Sequence, residues 1–261
     1  MLAYLRALLS QRRPTSPFPG ATPPFPPRFR GAPAIVRLTD GARALPVVDL
    51  GACLFSPEEA TPREGIALEF TPGIEMATRA RRSLCTDTGV IEFGEALDQR
   101  MRALLGRSLR LRSVVAGSCA GCEGELAALS NAVFDIARFG VQFVASPRHA
   151  DGIVITGVVN RNMLGALERT YDAVPDPRLV IAVGACPASG GPFRGSPEIV
   201  GIPDSIPVDL WIPGCPPHPL TIMHGILRLL GRLGTDRLGT ERLGTGRSVA
   251  RGRAPDALPS A

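Results

Sequence analysis

Beyond Arg110 the chain alternates between two hydrophobic rhythms. Five short runs, LRSVVAG (111–117), VQFVAS (141–146), GIVITG (152–157), RLVIAVG (178–184) and VDLWIPG (208–214), are rich in β-branched residues and closed by turn residues. That is the pattern of strands buried on both faces. Between the first two, residues 122–140 place Leu126, Leu129, Val133 and Ile136 at helical spacing, with Gly140 as a C-terminal cap. NMLGALERTYDAVPDP predicts a second helix, which Pro175 and Pro177 must stop, and HPLTIMHGILRLLGRL a third. Strands alternating with helices imply an α/β fold, a doubly wound, mostly parallel sheet of flavodoxin-like outline.

The rest of the chain is less regular. MLAYLRALLSQRRP predicts a short amphipathic helix, interrupted by Arg6 and lacking a cleavage site. From Pro14 to Pro33 a proline recurs every two or three residues, which predicts an extended linker or a strap laid over a partner. VVDLGACLF and IALEFT read as short strands or turns, EMATRARRSL as a short helix, with little core of their own. RLGTD, RLGTE and RLGTG repeat in tandem from Arg232 with a period that fits neither helix nor strand, so a disordered tail is expected. The expected divisions are 1–33 (helix and linker), 34–100, an α/β domain at 101–231, and a tail at 232–261.

Composition narrows the function. Of 261 residues 44% are hydrophobic and 20% charged, a globular balance. No apolar run reaches the roughly 18 to 20 residues of a membrane span, so no transmembrane segment is expected. The net charge of +5 invites a nucleic-acid reading. Yet from Arg228 onward seven arginines face three acids, so most of the excess lies in the tail. With aromatics at only 5%, no base-stacking platform remains and no nucleic-acid partner is expected.

Four of the six cysteines fall in the α/β part: Cys119 and Cys122 in GSCAGCEGE, Cys186 in GACPASGG and Cys215 in PGCPPHP. Each group immediately follows a predicted strand. The carboxyl ends of parallel strands open on one edge, where such folds bind ligands. Three loops distant in sequence are therefore expected to bring four thiolates together. In a reducing compartment metal ligation is the leading use of such cysteines, rather than disulfides. A [4Fe–4S] cluster takes four thiolates, and so can zinc; four unliganded core cysteines are the third alternative. Zinc ribbons usually present two local C-x2-C pairs, whereas Cys186 and Cys215 come singly, set among glycines whose N–H groups can point at sulfur.

GSCAGCEGEL, ARFGVQFVASPRHADGIVITGVVNRNM, YDAVPDPRLVIAVGACPASGG and PVDLWIPGCPPHP resemble the 20 kDa-type iron–sulfur subunit of NADH-quinone oxidoreductase, respiratory complex I, which the formate-hydrogenlyase-type, group 4 [NiFe] hydrogenases share. The resemblance runs from about Leu111 to Gly231. It implies one [4Fe–4S] cluster on Cys119, Cys122, Cys186 and Cys215, in an electron-transfer subunit that is part of an oxidoreductase but not an enzyme alone. The implied partners are a large subunit holding the active site and the ferredoxin-like and membrane subunits of one complex. The implied location is peripheral, on the cytoplasmic face of the inner membrane. Complex I members carry two adjacent cysteines at the first position, so CAGCEGE resembles the hydrogenase side. The rival reading is a structural or regulatory subunit whose four-cysteine site holds zinc or nothing.

The N-terminal third resembles the ferredoxin-like subunit of the same hydrogenases, which carries C-x2-C-x2-C-x3-C-P runs. Here the second run would fall on Cys53, Ser56, Glu59 and Arg63, one cysteine of four, and the first is missing between Ile35 and Leu45. The resemblance implies a degenerate segment over 34–100, kept as a docking strap and unable to hold a cluster, with Cys53 and Cys85 as inert thiols.

Glu123 and Glu125 follow the second cysteine. As first-turn carboxylates they favour the helix dipole; beside a cluster they are candidates for proton relay. His149 is expected to be a loop residue, His218 and His224 interface or surface, and Trp211 a packing residue. Arg138, Arg148 and Arg161 are candidate partner contacts. No nucleophilic triad, phosphate loop or dinucleotide fingerprint is present.

Overall fold

The computed structural model describes residues 15–37, 47–60, 66–86, 92–105 and 108–233. The expected N-terminal helix, Arg63, the gap before Leu45 and the pentad repeats from Gly234 onward lie outside the described residues.

The centre is a five-stranded parallel sheet of β5 (Leu109–Val115), β6 (Val141–Phe143), β7 (Gly152–Thr156), β8 (Leu179–Val183) and β9 (Leu210–Ile212), in the order β6-β5-β7-β8-β9. The first strand of the sheet lies second in space, the flavodoxin-like order. Side chains alternate between two cores, as the pleat requires. Leu109, Leu111, Val154, Ile181, Val183, Leu210 and Ile212 face one; Val114, Ile153, Ile155 and Val180 face the other. Strands β7 and β8 are buried along their whole length, which explains their unbroken apolar sequence.

On the first face lie α1 (Gln99–Leu105), α2 (Gly121–Ala128) and α5 (Pro219–Leu229); on the second lies α3 (Arg161–Asp172). The short α4 (Ala185–Ser189) follows β8 directly. Asn160 caps α3 by accepting the Met163 N–H at 2.9 Å.

The predicted helix over 122–140 stops at Ala128 and resumes only as a 3-10 turn at Ile136–Phe139. Asn131 is the cause. Its Oδ1 accepts the N–H groups of Val133 and Phe134 at 2.9 and 3.0 Å, a local alternative to the helical ladder. Leu126, Leu129 and Ile136 are still buried, but Val133 is turned outward.

The N-terminal segments add two small antiparallel pairs, β1 (Pro33–Arg37) with β3 (Ile66–Phe70) and β2 (Val48–Asp49) with β4 (Cys85–Thr86). Among the described residues, Cys53, Phe55 and Met76 form a small buried cluster of their own there. EMATRARRSL is helical only over Arg81–Leu84, a 3-10 turn, because Thr78 is held extended. Its N–H donates to Trp211 O at 2.9 Å and Trp211 N–H donates back at 2.8 Å, closing the open β9 edge of the sheet. Ile74, Ala77, Phe93 and Leu97 then cover α5, which is buried on all sides.

The proline-rich stretch packs on this chain itself. Phe18 enters the main core, Ser16 N–H donates to Val133 O at 2.7 Å, and Arg138 Nη2 donates to Ser16 O and Phe18 O at 2.9 and 2.7 Å. Its phenylalanines Phe25 and Phe29 stack with centroids 4.0 Å apart.

Candidate metal centre

The loops after β5, β8 and β9 meet at the carboxyl edge of the sheet, and each brings its cysteines. Cys119 lies exposed in the first loop, and Cys122 is buried in the first turn of α2. Cys186 is buried in α4, and Cys215 is half-buried in the loop before α5. Backbone bonds tie the loops together: Gly184 N–H donates to Ile212 O at 2.8 Å and Ala185 N–H to Gly214 O at 2.9 Å.

Glycines allow the sulfurs to approach. A Cβ at Gly184 (φ +103°) would lie 2.7 Å from Cys122 Sγ, and one at Gly191 (φ +52°) 2.9 Å from Cys186 Sγ. Both positions combine a left-handed backbone with a space that sulfur already fills. Across the first and last loops, a Cβ at Gly121 would stand 3.5 Å from Cys119 Sγ and 3.6 Å from Pro216.

Electrostatics give the same picture. Burial pushes the Cys122 thiol far above its ordinary range, and the negative charges of Glu123, Cys186, Cys215 and Cys119 push it further. Burial, then the neighbouring thiolates and Glu123, raises Cys186 to about 11. Cys215 is raised by burial, then by Cys119 and Glu59. Each of the four thiols is thus within electrostatic reach of the other three. Four thiols gathered at one edge oppose one another's ionisation unless cations join them, and metal binding displaces their protons. Among the described residues no group of three or more His, Cys, Asp or Glu side chains is arranged to hold a single metal ion. The sulfurs are gathered without converging on one point. Four cysteine donors with glycine-cleared approaches fit the ligand set of an iron–sulfur cluster, which has dimensions of its own.

The carboxylates differ. Glu123 Oε1 accepts from the buried hydroxyl of Thr156 at the end of β7, while its Oε2 is buried with no hydrogen-bond partner among the described residues. Burial raises the Glu125 carboxyl above the ordinary carboxylate range. Glu125 lines a cavity of about 280 Å³ with Cys215, His218, Thr221 and, from the N-terminal segments, Arg28 and Phe55.

Two expectations need correction. His224 is not a surface residue: it is 1% exposed, and neither ring nitrogen has a hydrogen-bond partner among the described residues. Arg138 is engaged by this chain's own strap, through the carbonyls of Ser16 and Phe18. His218 caps α5, Nδ1 accepting Leu220 N–H at 3.2 Å, with its ring edge-on to Phe25, Phe29 and Phe134. His149 and Arg148 lie in the turn after β6, and Arg161 donates to Pro197 O. Trp211 packs in the β9 edge beside Thr78.

Around Cys53 the loop closes on a carboxylate. Glu59 accepts from Leu54 N–H at 2.9 Å, from Ser56 N–H at 3.0 Å and from the Cys53 thiol at 3.3 Å. Burial is the main cause that raises the Cys53 thiol to about 12, with Glu59 and Cys215 adding to it. No motif in the sequence marks this role of Glu59, nor the ion pair of Arg81 with Asp49 (2.8 Å).

Residues 119–229 match the family model described as NADH ubiquinone oxidoreductase, 20 Kd subunit. A probable membrane-bound hydrogenase subunit mbhJ of Pyrococcus furiosus is 43% identical over 141 residues, 52% of this chain and 84% of that protein. A subunit of the NADH-quinone oxidoreductase of Geotalea daltonii is 43% identical over 116 residues, 44% of this chain and 68% of that protein. Among solved structures, a chain of the archaeal membrane-bound sulfane sulfur reductase is 36% identical with a TM-score of 0.45, covering 52% of this chain and 75% of that one.

Proposed function

The chain belongs to the NADH ubiquinone oxidoreductase 20 kDa subunit family, and from that membership we propose that it carries one [4Fe–4S] cluster on Cys119, Cys122, Cys186 and Cys215. It is a subunit of an oxidoreductase complex. Its work is to relay electrons to or from the active site of a large partner subunit. The observation that supports this most is the gathering of four thiols from three loops, each within electrostatic reach of the others.

When bound, the cluster supplies reversible one-electron transfer. This chain's residues make the place for it. Gly184 and Gly191 leave the backbone bare where Cys122 and Cys186 sulfurs lie. Burial of Cys122 and Cys186 keeps water from two of the four ligands. The N-terminal end of α2 offers its positive dipole beside Cys122. Cys119, on the exposed rim, marks the side a partner would cover. Glu125, its carboxyl raised by burial, lines the cavity on the Cys215 side as a candidate for proton relay.

Among the described residues no helix is long and apolar enough to cross a membrane. Relatives named as membrane-bound hydrogenase and quinone-reductase subunits support peripheral attachment to membrane subunits of one complex, on the cytoplasmic face.

The relay is tested by reducing the anaerobically purified chain and mixing it with the oxidised large subunit. The EPR signal of the reduced cluster is expected to disappear on mixing. A signal that persists with an active large subunit contradicts the relay.

A further inference from the structure

Helix α4 carries Cys186 but is only five residues long, too short to be held by its own hydrogen-bond ladder. Two arginines meet its last carbonyls. Arg81 Nε donates to Ala188 O at 2.7 Å, and Arg194 Nε donates to Ser189 O at 3.1 Å. Both cations also reach one carboxylate. Arg81 Nη1 and Nη2 donate to the two oxygens of Asp49 at 2.9 and 2.8 Å, and Arg194 Nη2 stands 3.8 Å from Asp49 Oδ2. Asp49 is fixed in turn, because its Oδ1 accepts Gly51 N–H at 2.9 Å.

The three nitrogens of one planar guanidinium are therefore all used, two on the anchor and one on the cysteine-bearing helix. Lysine offers no such fork. Arg81 and Asp49 come from the N-terminal segments, outside the family match at 119–229. This gives that region a task in the metal centre, although it carries no ligand for it.

We propose that Arg81, anchored by Asp49, is a positioning residue for Cys186 and sets the electron affinity of the group that Cys186 helps to hold. The proposal rests on the cluster reading above. Cations at the carbonyl end of a helix are favourable, and here two of them fix the orientation of the turn that presents Cys186. A fixed positive charge near a cluster also stabilises the reduced form, which carries one more negative charge, and so raises its potential.

The test uses the anaerobically purified full chain and the variants Arg81→Gln, Arg81→Lys and Asp49→Asn. Two quantities are read: the midpoint potential, by EPR-monitored titration, and the rate of iron loss to a chelator. Arg81→Gln is expected to lower the potential and release iron several-fold faster. Arg81→Lys keeps the charge and loses the fork, so its potential stays near wild type while iron still leaves faster. Asp49→Asn removes the anion and raises the potential, opposite in sign to Arg81→Gln. A structural contact alone gives no such reversal. Potentials and release rates equal to wild type, or potentials moved the same way by Arg81→Gln and Asp49→Asn, overturn the proposal and leave the cluster reading standing. A wild-type chain without a cluster overturns both.

Discussion

The position a side chain at Gly184 would occupy is already taken by the sulfur of Cys122, 2.7 Å from where the Cβ would lie. Two loops 62 positions apart in sequence thus meet at a point where one extra carbon forces one of them to move. Gly184→Ala also places alanine at φ +103°, a conformation that L residues rarely adopt. The variant is expected to fold, as read by far-UV circular dichroism, and to retain less than about half the wild-type iron, the loss reflecting a sulfur moved out of bonding distance. Wild-type iron content in Gly184→Ala contradicts the close approach.

Arg138 ties the strap to the sheet domain through the carbonyls of Ser16 and Phe18. Its truncation to alanine leaves both acceptors without a charged donor, at a cost of about 1 to 3 kcal/mol. The expected result is faster proteolytic cleavage between residues 15 and 32, measured by mass spectrometry of limited digests, with cleavage elsewhere unchanged.

His224 gives stability a pH dependence. Burial, with the charge of Arg228 adding to it, lowers its pKa to about 4 from an ordinary 6.5. Between those values the unfolded chain holds a proton that the folded chain refuses, so stability is complete above about pH 6.5 and falls as pH drops toward 4. The difference is on the order of 3 kcal/mol. Denaturant titrations at pH 7 and pH 5 are expected to show about 2 kcal/mol of that loss in the wild type and a smaller one in His224→Leu.

Glu59 accepts from three donors, and one of them is the Cys53 thiol. Removing the carboxylate in Glu59→Ala removes a negative charge that holds this thiol up. Site-resolved alkylation at pH 8 is expected to label Cys53 faster in the variant. Equal labelling shows that burial alone keeps Cys53 inert.

Glu125→Gln and Glu123→Gln separate proton relay from structure. Glu125 borders the cavity beside Cys215, whereas Glu123 holds Thr156. Proton-coupled turnover of the assembled complex is expected to slow in Glu125→Gln. Unchanged turnover in both variants removes proton relay from this chain.

The sheet was legible because β7 and β8 are buried on both faces and must be apolar throughout. The cysteine positions were legible because strand ends in a parallel sheet converge, so chemistry placed after strands is brought to one edge. What sequence could not show depends on long-range partners. Thr78 is extended only because Trp211 offers it a free strand edge, and no local propensity signals that. Asn131 ended a helix whose apolar spacing continued past it, since its side chain offers the backbone closer bonds than the ladder does. Arg81 looked like one arginine among many. Its role rests on Asp49 and Ala188, distant in sequence and near only in the fold.

The central claim is that four sulfurs hold one inorganic group, and the ratio of iron to acid-labile sulfide per chain tests it most directly. Anaerobically purified protein is expected to contain about four of each per chain, and Cys186→Ser markedly less. A colourless wild-type chain with zinc or no metal, or iron unchanged by removal of Cys186, contradicts it.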